Sequence, residues 1–277
     1  MVKRSIIRSW YSMKEQFYIL ILLFIYRLLW GYFMYKFVKS AIVPLLLHYP
    51  DAHAGGSSTG RLLYYIEGQM ALSADPDVQR WIWMLLALSV LRLLLSPFIR
   101  AGLLHELHQE RKGERGLFFF PGMRLYGLPV LLFSIAEWIL AALPLYFLFP
   151  KIYTLLLSGI FDYKLLLKLV PYVLAWLVYL YLVRLMLLYM QFGYTGGTGI
   201  LSSLLVFCKV LISSIGVSAV FIAGGLLLWL LNGVAAFLLP GLPALLIRQC
   251  SPLPSTLFKM WDIAAQYQLW RSKTFPQ

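Results

Sequence analysis

The sequence predicts an all-α fold: a polytopic transmembrane bundle of six spans, with an amphipathic interfacial helix at each terminus. Three observations carry this. Of 277 residues, 61% are hydrophobic and only 13% charged, whereas a soluble domain carries ~45–50% apolar and ~25% charged residues. The mean hydropathy is +0.78, more apolar surface than one water-soluble core can hide, so disordered, collagen-like and ordinary cytosolic classes are excluded. Finally, apolar runs long enough to cross a bilayer recur along the chain.

The N-terminal segment 1–16 reads as an amphipathic helix. Ile6, Trp10, Met13 and Phe17 recur at helical spacing, with Lys3, Arg4 and Arg8 on other faces. Such a helix lies in the headgroup plane, or else packs on the cytoplasmic end of the bundle. The bundle itself occupies 17–249. A span needs ~20 apolar residues to cross ~30 Å of hydrocarbon, and six runs qualify: 17–47, 81–104, 125–149, 169–192, 200–231 and 233–249. The first and fifth are long enough to tilt or to extend into the headgroups. The first is expected to be retained rather than cleaved. Its apolar run is about twice the ~7–15 residues of a signal peptide, and it contains Arg27, Lys36 and Lys39. The last two runs are divided only by the turn-type dipeptide Asn232-Gly233. In the 250–277 tail, Phe258, Trp261, Ala265 and Leu269 again recur at helical spacing, with the same two readings.

Charge sets the orientation. Eleven Lys and Arg residues fall in the N-tail, the 105–124 and 193–199 loops and the C-tail, against five on the other side. Excess basic residues in short loops mark the cytoplasmic side, so both termini are expected inside, in a bacterial cytoplasmic membrane. Trp81, Trp83 and Trp229 near the outer boundary, with Trp10, Trp261 and Trp270 near the inner one, suit an interfacial belt. The formal charge of +13 lies partly within apolar runs, so membrane lipids, anionic headgroups included, are the expected partners, with a membrane-protein partner as the other candidate; nucleic acid is not expected. Cys208 and Cys250 give neither a disulfide framework nor a zinc spacing.

Ionisable residues within the spans are the most informative feature. Glu137 is the only acidic residue inside an assigned span, midway along the third, and Arg92 lies midway along the second. Burying a charge at the bilayer centre is unfavourable by ~2.5–3.5 kcal/mol, so such groups face the bundle interior and find partners. A Glu137–Arg92 pair is expected, with Arg184 or Arg27 competing. Surplus guanidinium charge from Arg27, Arg92 and Arg184 would form a cationic pocket suited to phosphate. Alternatively, Glu137 neutralises one arginine while the others snorkel to the headgroups.

His105, His108 and Glu110 share the end of the second span, where a metal site is geometrically conceivable. The zinc-protease pattern His-Glu-x-x-His is absent, however, and a solvated, charged helix end is the better reading. No metal and no cofactor is expected. The glycine-rich run Gly193–Gly199 reads as a tight inner turn rather than an anion cradle. The small residues of the fifth span, among them Ser214, Ser218, Gly224 and Gly225, suit close helix contact. No nucleophile motif, paired intramembrane aspartates or acidic metal cluster is present, so an enzyme has no catalytic residue to name.

Three segments, Pro97–Gly102, Gly116–Gly122 and Gly199–Ser203, resemble a loose group of bacterial six-helix membrane proteins. Some of these form the membrane domain of glycerophosphodiester phosphodiesterases. The resemblance, over about residues 10–260, implies a helical membrane module without assigned catalytic residues; the soluble hydrolytic domain is absent from this sequence. The expected function is a non-enzymatic accessory or interaction component in lipid or envelope processes. The alternative is a small transporter subunit that handles an anionic or lipid-like substrate through the arginine pocket.

Overall fold

The computed structural model describes residues 2–47, 76–112, 118–157, 163–238 and 251–275. All regular structure among them is helical: α1 (Val2–Glu15), α2 (Phe17–Leu47), α3 (Pro76–Lys112), α4 (Phe119–Leu157), α5 (Tyr163–Thr195), α6 (Ile200–Leu238) and α7 (Pro252–Thr274). Five helices are long and apolar enough to cross a membrane: Phe17–Lys36, Trp83–Glu110, Phe119–Pro150, Val170–Thr195 and Ile200–Ala235. The first five expected spans fall on these helices.

The sixth requires correction. No turn forms at Asn232-Gly233; α6 runs through both residues to Leu238. In hydrocarbon each backbone polar group must be satisfied within its own helix, so an apolar run continues unless something else takes up its hydrogen bonds. The remainder of the expected sixth span, 239–249, lies outside the described residues. Pro97, Pro144 and Pro171 sit inside continuous helices.

The chain divides into two compact units, Met1–Leu20 with Ser96–Gln277, and Ile21–Leu95. In the smaller unit Trp30 is buried, with Tyr26 edge-on at 6.2 Å, and most of Trp83–Leu94 is exposed apolar surface. In the larger unit the core gathers where the end of α3, the start of α4, the end of α5 and the start of α6 meet α1 and α7. Glycines permit the closest approaches. A Cβ on Gly102 would lie 2.8 Å from the Phe119 carbonyl, one on Gly122 2.5 Å from His105 Cβ, and one on Gly127 2.4 Å from the Phe98 ring.

Between α5 and α6 the chain reverses in a tight turn. Gly196 donates to the Phe192 carbonyl at 2.8 Å and Thr198 to Gly193 at 3.1 Å. Gly197 and Gly199 take φ of +70° and +91°, a region glycine enters without a Cβ penalty.

Of the two readings of the tail, packing on other helices is the one observed, and most of its second half is enclosed in the core of the larger unit. α7 begins with Pro252, whose missing N–H is no loss in a first turn; Arg271 and Lys273 complement its C-terminal dipole. It runs antiparallel to α6, with Phe258 against Phe221, Asp262 against Ser218, Gln266 against Ser214 and Trp270 against Ser203. Every residue from Ala264 to Trp270 is buried. Asp262, Gln266 and Trp270 pair with hydroxyls on α5 and α6, and these bonds offset the cost of burying them.

Candidate functional site

α7 is held in register by a buried polar network. The Gln266 amide is fully satisfied: Oε1 accepts from Tyr189 Oη at 2.8 Å and Ser214 Oγ at 2.7 Å, while Nε2 donates to the Ser214 carbonyl at 3.0 Å and Ser218 Oγ at 2.9 Å. Ser218 Oγ in turn donates to Asp262 Oδ1 at 3.2 Å. Trp270 Nε1 donates to Ser203 Oγ at 3.1 Å. Trp261 Nε1 reaches the Ile6 carbonyl at 3.1 Å and Ser9 Oγ at 2.9 Å, and its ring stands 4.7 Å from Trp10. α1 and α7 therefore pack on each other.

Where α7 leaves this network it roofs a cavity of about 350 Å³, within the ~300–1,000 Å³ range of small-molecule sites. Each wall is one helix face at i, i+3, i+4 spacing. α5 contributes Tyr181, Arg184, Leu185 and Leu188; α6 contributes Ser218, Phe221, Ile222, Gly225, Trp229 and Asn232 among others; α7 contributes Ser255, Phe258, Lys259 and Asp262 among others. Arg100 of α3 lines the same space. A Cβ on Gly225 would meet nothing within 4 Å, so this glycine leaves the cavity open.

The ionisable groups stand together among apolar walls. Arg100 Nη1 donates to Glu137 Oε2 at 3.2 Å, with both side chains only a fifth to a quarter exposed. Arg184 is in electrostatic range of both Arg100 and Asp262, yet it forms no direct ion pair with that carboxylate. Burial pushes the Asp262 carboxyl above the ordinary range, against the opposing effects of the Ser218 hydrogen bond, the Arg184 charge and Gln266. The buried Tyr181 hydroxyl sits near Ser218 outside hydrogen-bonding geometry and has no partner among the described residues. The cavity is thus lined by the guanidinium groups of Arg100 and Arg184, the ammonium of Lys259, several hydroxyls and one carboxylate.

The expected site residues fall in several places. Glu137 does have an arginine partner from the second span, Arg100, about two turns beyond Arg92. Arg92 and Arg27 belong to the smaller unit, where the two cations are in electrostatic range of each other. Arg184 lines the cavity. His105, His108 and Glu110 turn to different partners. His105 stacks among Phe118 and Tyr126, His108 Nδ1 meets Tyr267 Oη at 3.1 Å, and Glu110 Oε2 accepts from Ser12 at 2.5 Å and Gln16 at 2.6 Å. The expected solvated helix end is therefore corrected: His105 and Glu106 are buried, because α1 and α4 cover that end of α3. Among the described residues no group of three His, Cys, Asp or Glu gathers as metal ligands.

Sequence reasoning did not single out Arg100, Tyr181 or Asp262. A signal existed in the matched spacings Ser214/Ser218 and Asp262/Gln266, each four apart and so on one helix face.

No family model, curated protein or solved structure matches this chain.

Proposed function

We propose that this protein is a non-enzymatic membrane component that retains a phosphate-bearing, lipid-like molecule in the cavity, serving an accessory role in lipid or envelope processes. The observation that carries this reading is the placement of Arg184 and Arg100 on the wall of a cavity whose apolar lining includes Leu185, Leu188, Phe221, Ile222, Trp229 and Phe258. Guanidinium groups match phosphate geometry, and the apolar walls suit an acyl chain. The small-transporter reading uses the same arginines and differs in requiring that the ligand cross the membrane.

The proposal includes the membrane setting. Both termini face the cytoplasm of a bacterial cell, in keeping with the basic inner loops and with the direct packing of α1 on α7. The exposed side of α1, with Ile7, Tyr11, Arg8 and Lys14, rests on headgroups as an interfacial helix would. The likeness to the phosphodiesterase membrane module belongs here too. Two of the segments that carry it meet where Gly102 and Gly122 bring α3 against α4.

Mass spectrometry of lipids retained after purification in mild detergent tests the reading. Wild-type protein is expected to hold phospholipid stoichiometrically and Arg184→Ala to lose most of it, with unchanged insertion. Equal retention by both proteins contradicts the proposal. Flux of the same lipid between leaflets of reconstituted vesicles would favour transport.

A further inference from the structure

The cavity holds opposite charges that do not meet. Arg184 and Asp262 both line it, each within the other's field, without a direct ion pair. Ser218 Oγ donates to Asp262 Oδ1 at 3.2 Å, and a carboxylate that lines the cavity has lone pairs for more than one donor. On the cationic side, the Arg184 guanidinium and the unpartnered Tyr181 hydroxyl add donors beside Arg100, whose Nη1 is committed to Glu137.

A ligand bearing only an anion would satisfy the arginine side and set a negative charge before a carboxylate. One that also carries a hydrogen-bonding cation satisfies both. Resting on the reading above, we propose that the cavity selects an aminophospholipid, with its phosphate at Arg184, Tyr181 and Arg100 and its primary ammonium at Asp262. Both polar contacts are charge-assisted, the stronger kind of hydrogen bond. The chain then runs along Phe221, Ile222 and Phe258, past the space that Gly225 leaves open. A neighbouring ammonium also favours the ionised form of a carboxylate that burial alone disfavours.

Phosphatidylcholine is the informative comparison, because it keeps the phosphate and the overall charge but replaces the N–H donors with methyl groups. Full-length protein stripped of lipid is incubated with mixed micelles holding equal amounts of phosphatidylethanolamine, phosphatidylcholine and phosphatidylglycerol, and the bound species are read by native mass spectrometry. Wild-type protein is expected to prefer phosphatidylethanolamine over phosphatidylcholine by about tenfold, the worth of one charged hydrogen bond. Asp262→Asn is expected to erase that preference while still binding phospholipid. Gly225→Phe, which fills the cavity without touching a charge, is expected to abolish binding of all three.

Equal binding of phosphatidylethanolamine and phosphatidylcholine by wild type overturns the aminophospholipid assignment and needs no variant to interpret. So does stronger binding of phosphatidylglycerol, or an undiminished preference in Asp262→Asn. In those cases the phosphate-binding reading survives if Gly225→Phe still loses the lipid. Binding unaffected by Gly225→Phe and by Arg184→Ala would instead remove the reading on which the assignment rests.

Discussion

Asp262 is the carboxylate that faces the cavity, and its position fixes the sign of a pH effect. Burial raises its folded-state pKa above that of the unfolded chain. Stability from this group is therefore at its full value below the unfolded carboxyl range and falls as pH rises through the window up to the folded value, since the unfolded chain releases its proton first. Lipid-free Asp262→Asn is expected to melt above wild type at pH 7 and level with it near about pH 3; melting both proteins across that range checks it. The Arg100–Glu137 pair works in the opposite sense, since removal of one partner leaves an uncompensated charge within a span. Arg100→Leu and Glu137→Leu should each cost about 1–3 kcal/mol, somewhat less than a fully buried pair because both side chains keep some exposure. The double variant should cost less than the two singles combined, as a double-mutant cycle by chemical unfolding would measure.

At the scale of elements, α7 decides whether a cavity exists. Its buried face is uncommonly polar for a helix enclosed by others, with Gln266 fully inside. Four hydrogen bonds to Gln266 offset that burial. Gln266→Leu would strand the hydroxyls of Tyr189 and Ser214 and leave Ser218 only its bond to Asp262. The expected cost is about 1–3 kcal/mol, with faster proteolysis of the C-terminal segment, measured by thermal melting and limited digestion. An unchanged melting point would mean that the network does not hold α7 in place.

The same helix shows how far the sequence could be read. Its apolar stripe of Phe258, Trp261, Ala265 and Leu269 was visible from spacing alone, and these residues do pack, on Val210, Val217 and Phe221. What spacing could not reveal is that the flanking polar face, with Asp262 and Gln266, is also covered. Its partners, Ser214, Ser218 and Tyr189, come from helices far away in the chain, and a serine in an apolar span looks the same whether it allows close packing or donates a hydrogen bond.

Across the whole molecule, the apolar runs read from hydropathy fall on the five described helices long and apolar enough to cross a membrane, because bilayer thickness dictates the length of such runs. The reading failed at Asn232-Gly233, where a turn dipeptide in water becomes ordinary helix in an apolar run. Charge counting drew attention to Glu137 and Arg184, since buried charges are costly enough to stand out. It overlooked Arg100, which lies near a span end where an arginine can equally reach the headgroups. The cavity itself was not legible: four helices contribute to it, and its volume depends on how α7 is seated rather than on any local motif.

The most direct test is an electron cryo-microscopy map of the protein in a lipid nanodisc, with a rigid binding partner added for alignment. Density for a phosphate group within hydrogen-bonding reach of Arg184, continuing as a chain along Phe221, Ile222 and Phe258, is the expected result. A map in which α7 leaves α6, or in which Arg184 closes directly onto Asp262 and fills the space, would contradict a lipid-holding cavity.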